Sequence, residues 1–325
     1  MPKNNLSRRD FLKIAALASG AAAVGACELF PNPDPKPKPV YKNLRGLCYG
    51  PFREGQSPDW QLYPSEAQMT EDLNIMKRST SRIRTYGLEN TLYHIPRLCN
   101  DAGIECYPCA YVNENATPEW NEAEIQRLIA VGKQGLPTTK GLIVGNEYML
   151  RAEGRGQFLQ AKEKIISLVN RVRNETGMPT GTTDGWHLWN YGTSIDLVNA
   201  CDFIMMHIHP FWESKYSSPN LSVETAVSHV AEKYNLVRQR YSRLGKPVIL
   251  GETGWPSSGA ANYAAVPSQE NQSRFIEEFL SKARSDNIDY FIFEAFDESW
   301  KGQIENSFGV FNKNREAKPS IIESA

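Results

Sequence analysis

The 325-residue chain lacks an excess of either charge, with 36 Lys+Arg against 37 Asp+Glu. That balance, with no Lys/Arg-rich arm, leaves no basic field to hold a nucleic-acid backbone. It also has few of the residues that build metal or disulfide frameworks: five histidines and six cysteines. No Gly-x-Gly-x-x-Gly follows the first apolar run, which argues against a dinucleotide fold. No internal repeat, low-complexity segment or interior linker breaks the chain after residue 44. A 41% hydrophobic and 10% aromatic content excludes a disordered chain, because that much apolar surface offsets the entropy of ordering.

The first residues read as an address rather than as part of the fold. Ser7-Arg8-Arg9-Asp10-Phe11-Leu12-Lys13 has the twin-arginine pattern, and a weakly apolar, Ala/Gly-rich run follows from Ile14 to Val24. That run is too short to span a bilayer stably. It ends at Val24-Gly25-Ala26-Cys27, which resembles a bacterial lipobox; the alternative is an ordinary cleaved peptide with Cys27 incidental. The expected organisation is an export segment with lipobox (1–27), a proline-rich linker (28–43) and a single domain (44–325). Pro31, Pro33, Pro35, Pro37 and Pro39 alternate in the linker, favouring an extended spacer of ~3.1 Å per residue between a lipid anchor and the domain. Loss of residues 1–26 removes four basic and one acidic residue, leaving a net charge of −4.

Twin-arginine export implies folding before an oxidising compartment is reached. Besides Cys27 there are Cys48, Cys99, Cys106, Cys109 and Cys201, an odd set that argues against a disulfide scaffold. Cys106-Tyr107-Pro108-Cys109 has the spacing of a redox or zinc pair. It falls in a strand-like run with no second ligand pair following, so buried small hydrophobes are the better reading.

From Arg45 onward, short apolar runs alternate with amphipathic stretches. Strands are expected at Gly46–Tyr49, Arg82–Tyr86, Glu105–Tyr111, Leu142–Gly145, Thr180–Thr183, Phe203–His207, Val248–Gly251 and Tyr290–Ala295. Continuous apolar runs of this length suit strands buried on both faces. Helix starts are legible at Ser65 with Gln68, a capping box, and at Thr117-Pro118-Glu119, an N-cap followed by an N1 proline. Gly156–Val172 and Ser268–Ala283 are further amphipathic helices. Eight strand–helix alternations over about 280 residues point to an α/β fold, a (β/α)8 TIM barrel.

In such a barrel, chemistry gathers where strands end. Leu142-Ile143-Val144-Gly145 runs into Asn146-Glu147, and Val248-Ile249-Leu250-Gly251 runs into Glu252-Thr253-Gly254-Trp255. Each run delivers a carboxylate to the same barrel face. Two carboxylates sharing a cleft push one pKa upward, which suits acetal cleavage by an acid and an ionised partner. The bland alternative is a pair of rim glutamates in ion pairs with Arg84 or Lys301. Tyr49, Tyr86, Trp186, Trp189, Phe211, Trp212, Trp255 and Trp300 lie near strand ends, where rings stack on the C–H faces of sugars or simply fill the core. Trp255 and Trp300 are the first choices for stacking.

These residues resemble glycoside hydrolase family 17. The resemblance lies in Gly145-Asn146-Glu147, in Gly251-Glu252-Thr253-Gly254-Trp255-Pro256-Ser257, and in Phe293-Glu294-Ala295-Phe296-Asp297-Glu298 with Trp300-Lys301. Tyr49-Gly50-Pro51-Phe52-Arg53, Ile83-Arg84-Thr85-Tyr86-Gly87 and Ser307-Phe308-Gly309-Val310-Phe311 extend it across residues 45–311. It implies a (β/α)8 barrel that hydrolyses β-1,3-glucan with retention, Glu147 serving as acid/base and Glu252 as nucleophile, with no cofactor or metal. Asn146 would bond the sugar 2-hydroxyl. Tyr49, Arg84, Tyr86, His207, Phe211, Trp255, Glu298, Trp300 and Lys301 would bind substrate or tune the glutamates.

His207-Ile208-His209-Pro210-Phe211 departs from that pattern, since relatives commonly place a tyrosine where Phe211 stands. A phenol for the nucleophile is then missing, unless Tyr49, Tyr86 or His207 substitutes. The His-x-His spacing also suits a metal, but no third ligand is evident. Two rivals to a hydrolase remain: a glucan transglycosylase using the same glutamates, and a non-catalytic glucan-binding lipoprotein.

Overall fold

Why the third strand stops short of continuity is a matter of one residue. Pro108 has no N–H to donate, so the ladder breaks there into β3 (Glu105–Tyr107) and β4 (Cys109–Ala110). The Pro108 carbonyl still accepts from the Ile143 N–H at 2.9 Å, bridging the gap. In the computed structural model, which describes residues 39–323, these halves close a barrel with β1 (Leu47–Cys48), β2 (Arg82–Arg84), β5 (Leu142–Asn146), β6 (Thr180–Gly185), β7 (Ile204–His207), β8 (Val248–Thr253) and β9 (Asp289–Ile292). All pairings are parallel, in the order β3-β2-β1-β9-β8-β7-β6-β5-β4. With β3 and β4 counted as one, eight strands form the expected (β/α)8 barrel. The export segment, Cys27 and residues 28–38 of the proline-rich stretch lie outside the described residues.

Helices cover the barrel: α1 (Glu66–Met76), α2 (Ile95–Ala102), α3 (Pro118–Lys133), α4 (Tyr148–Glu153), α5 (Phe158–Thr176), α6 (Trp186–Trp189), α7 (Ile195–Ala200), α8 (Pro210–Glu213), α9 (Val223–Arg240) and α10 (Gln269–Asp286). Ser65 and Gln68 form the capping box read from sequence, and the Thr117 and Ser268 side chains cap α3 and α10. The strands are buried on both faces, so their apolar runs pack against the helices outside and one another within. Cys48, Cys99, Cys106, Cys109 and Cys201 are all buried free thiols, as the odd count implied.

Candidate active site

The mouth of the barrel is built from the ends of four strands. Glu147 follows β5, His207 ends β7, Glu252 lies near the end of β8, and Arg84 ends β2. One carboxyl oxygen of Glu147, one of Glu252 and a ring nitrogen of His207 all lie within 4.8 Å of one another. Glu252 is nearly buried, with its side chain 6% exposed, whereas the Glu147 side chain keeps 30% exposure toward the cleft.

Arg84 lies beneath this pair, fully buried. One of its terminal nitrogens donates to Glu252 Oε1 at 3.0 Å and approaches His207 Nε2 at 2.8 Å; the other donates to Asn146 Oδ1 at 2.5 Å. A guanidinium only donates, so the partners of His207 fix its tautomer: Nε2 accepts, and the proton on Nδ1 points to Glu147 Oε1 at 2.8 Å. Thr183 Oγ1 is also 2.6 Å from His207 Nε2. On the other side, His209 Nε2 donates to Glu252 Oε2 at 2.9 Å. The His-x-His motif thus gives one imidazole to each carboxylate.

The electrostatics differ from the simple expectation for two like charges. Burial pushes Glu252 up, but the hydrogen bond from His209 and the charge of Arg84 outweigh it and hold the carboxyl well below its ordinary range. Burial likewise opposes ionisation of Glu147, yet the hydrogen bond from His207 Nδ1 holds it low as well. Burial lowers His209, and the Glu252 hydrogen bond and charge more than compensate, so its pKa is raised. Glu147, His207 and Glu252 have the donor types of a metal site. The permanent Arg84 cation touching both Glu252 and His207 makes the spot a poor host for a second positive charge.

The surrounding cleft has a volume of about 1570 Å³. Asn146, Tyr86, Glu298, Trp300 and Lys301 line it, as read from sequence, and Tyr63, Trp120, Trp186, Trp212 and Glu213 join them. Lys301 Nζ bridges Glu294 and Glu298 at 2.5 and 2.6 Å. Burial lowers its pKa, but those two carboxylates dominate and raise it, keeping the ammonium charged at the cleft wall.

Three expected substrate contacts, Trp255, Phe211 and Arg84, are placed away from the cleft, and two that line it, His207 and Tyr49, are engaged by protein partners. Trp255 is fully buried, its ring stacked with Phe275 of α10 and its Nε1 donating to the Val266 carbonyl at 3.0 Å. Three residues beyond Glu252, its side chain turns away from the mouth into the helical layer. Phe211 is also fully buried, against Trp255 and Phe308, and the next residue, Trp212, meets the cleft instead. Arg84 is sealed below the glutamates rather than open to substrate. His207 borders the cleft, but both its nitrogens are taken up by protein partners. Tyr49 shows only 1% exposure and directs its hydroxyl to Asp72 Oδ2 at 3.1 Å, and the Tyr86 hydroxyl has no partner, so neither replaces the missing phenol. His209, which lies two residues past His207 at the N-cap of α8 and not on β7, supplies the hydrogen bond to Glu252 instead, a contact that the sequence reading missed.

A parallel barrel whose fourth and seventh strands deliver two glutamates to one oligomer-sized cleft defines a glycosidic-bond-cleaving class. The chain belongs to the BtgE/BtgC glycoside hydrolase domain family, which it matches over residues 46–310. It is similar to the Rhizomucor miehei β-1,3-glucanosyltransferase solved as an active-site mutant with laminaritriose, at 27% identity and a TM-score of 0.71, covering 86% of this chain and 98% of that one. Another structure of that enzyme is described as glycoside hydrolase family 17, in line with the sequence resemblance. A Schizosaccharomyces pombe glucan 1,3-beta-glucosidase is 29% identical over 77% of this chain and 79% of its own length. The probable glucan endo-1,3-beta-glucosidase btgC of Aspergillus flavus is 27% identical over 90% of this chain, which spans only 44% of that relative's length. Residues 5–25 match the twin-arginine translocation signal, which marks the chain for export by that route.

Proposed function

We propose that the chain cleaves β-1,3-glucan with retention of configuration, through a covalent glycosyl-enzyme. The observation that carries this reading is the approach of the Glu147 and Glu252 carboxyl oxygens to within 4.8 Å. Retaining enzymes hold their carboxyl groups ~5–5.5 Å apart, whereas inverting ones leave room for a water at ~6.5–9.5 Å. Glu252, held ionised by Arg84 and His209, attacks the anomeric carbon. Glu147 protonates the glycosidic oxygen as the bond to it breaks. A sugar lying over Glu147 removes solvent from its exposed edge, which raises its proton affinity in the bound complex. Water then gives a proton to Glu147 and attacks the anomeric carbon, releasing Glu252. The catalytic domain in this reading is residues 44–325.

A second reading, transfer to another sugar, is favoured by the layout of the rim. A line from β5 to β8 leaves the loops after β6 and β7 on one side, with Trp186 and Trp212. The loops after β9, β1, β2 and β4 are on the other, with Trp300, Tyr63, Tyr86 and Trp120. The cleft therefore has sugar-stacking surface on both sides of the reacting bond, enough for an acceptor as well as a donor. Incubation with laminari-oligosaccharides separates the readings: shorter products mark hydrolysis, longer ones transfer. In either case Glu147→Gln and Glu252→Ala are expected to lower turnover by at least about 100-fold. Full activity in either variant rejects the assignment.

The lipobox-like Val24-Gly25-Ala26-Cys27 suggests a lipid anchor at Cys27, with residues 28–43 as the spacer. Cys27→Ala is then expected to move the exported protein from the membrane fraction to the soluble fraction, and an unchanged distribution counts against the anchor.

A further inference from the structure

Glu147 occupies an awkward place on the backbone. It is the N-cap of α4, yet it sits in the left-handed region at φ 52°, ψ 30°, where a side chain with a Cβ is disfavoured. An N-cap residue ordinarily turns its side chain back onto the amides two and three residues on. Glu147 does not, because its carboxyl is directed into the cleft and accepts from His207. The amides it leaves free are those of Met149 and Leu150.

Asp184, near the end of β6, takes that task over. Its Oδ2 accepts from the Met149 N–H at 2.9 Å, and its Oδ1 accepts from the Leu150 and Gly185 N–H groups at 3.1 and 3.0 Å. The preceding residue, Thr183, accepts the Glu147 N–H on its carbonyl at 3.0 Å. The end of β6 therefore grips the chain at Glu147 itself and again two and three residues beyond. Asp184 is completely buried and does not line the cleft, so it has no route to substrate.

We propose that Asp184 is the positioning residue of the acid/base, holding Glu147 in its left-handed conformation by capping the helix that Glu147 cannot cap for itself. The inference rests on the reading of Glu147 as acid/base. Burial and the charge of Glu147 raise Asp184 to about 8 against the pull of three N–H donors. The two carboxyls thus feel each other.

The test exploits leaving-group chemistry. Laminaritriose needs a proton on its leaving oxygen, whereas the 2,4-dinitrophenyl glycoside of laminaribiose releases a stable phenolate without one. In Asp184→Asn and Asp184→Ser, kcat on laminaritriose is expected to fall about 10- to 100-fold with KM little changed, the cost of a misplaced acid. The first step on the dinitrophenyl substrate, kcat/KM, should stay within about threefold of the parent, because acid assistance contributes little there. Added azide should accelerate these variants and yield a glycosyl azide. It forms a C–N bond to the anomeric carbon as the bond to the Glu252 oxygen breaks, and it requires no general base.

Glu147→Gln, run beside them, must show the same split more strongly. If it does not, the acid/base reading fails and the inference with it. If Glu147→Gln shows the split while the Asp184 variants lose both activities equally, or lose neither, only the positioning role is overturned. Failure of both Asp184 variants to fold, judged by thermal melting, also overturns it, because Asp184 would then serve the barrel as a whole.

Discussion

Buried beneath the cleft floor, Arg84 gathers Glu252, Asn146 and the acceptor nitrogen of His207 around one permanent charge. Its pairing with Glu252 is what lets a buried carboxylate stay ionised, because an isolated one there would take up a proton. Removing one member of a buried pair leaves the other uncompensated. Glu252→Gln is therefore expected to cost about 3 kcal/mol of stability at pH 7, a typical penalty for breaking such a pair. The sign of its pH dependence follows from the lowered pKa of Glu252 in the folded chain. A carboxyl that ionises more readily when folded contributes fully above the ordinary glutamate range near pH ~4.3 and loses that contribution as pH falls below it. Thermal unfolding of parent and variant should thus differ most at pH 7, with the gap narrowing toward pH 3. A gap that stays constant would mean that Glu252 carries no net stabilising charge. At this scale the sequence was only partly legible. The glutamates stood out at the ends of apolar runs, but residue type could not tell Trp212, which meets the cleft, from Phe211 and Trp255, which fill the core.

At the scale of elements, β5 shows how strand chemistry aims a side chain. Gly145 adopts φ +77°, and a Cβ there would lie 3.1 Å from Ile165 Cδ1 of α5. Only a residue without a Cβ takes that conformation freely, and the turn it makes sends Asn146 and Glu147 toward the mouth. Gly145→Ala is expected to lose about 1–2 kcal/mol, the cost of the left-handed conformation plus a tight contact. It should also lower kcat more than it raises KM, since Glu147, the proposed acid/base, follows two residues later. A melting temperature and kcat matching the parent would show that the backbone there is freely adjustable. The strands themselves were legible because continuous apolar runs have few other homes, and Ser65, Thr117 and Ser268 marked helix starts through ordinary capping chemistry. The break at Pro108 was not read, although the missing donor was visible in the sequence. The short α8 that carries Phe211 and Trp212 gave no periodicity to read.

Across the whole molecule, eight strands bring together residues more than a hundred positions apart, and the barrel's circular order fixes which loops flank the reacting pair. The cleft of about 1570 Å³ exceeds the ~300–1,000 Å³ of sites for single small ligands, in keeping with an oligosaccharide. The overall architecture and the glutamate pair were both readable before any coordinates. The electrostatic setting was not, because it depends on Arg84, His207 and His209 converging from β2, β7 and the N-cap of α8. The most direct measurement of the central claim is to trap the intermediate with a 2-deoxy-2-fluoro laminaribiosyl fluoride. Its fluorine slows release of the sugar while fluoride leaves readily in the first step. Mass spectrometry of the digested protein should find the fluorosugar esterified on the peptide carrying Glu252, and Glu252→Ala should show none. An adduct on any other residue, or no adduct from enzyme that turns over β-1,3-glucan with inversion, would contradict the account.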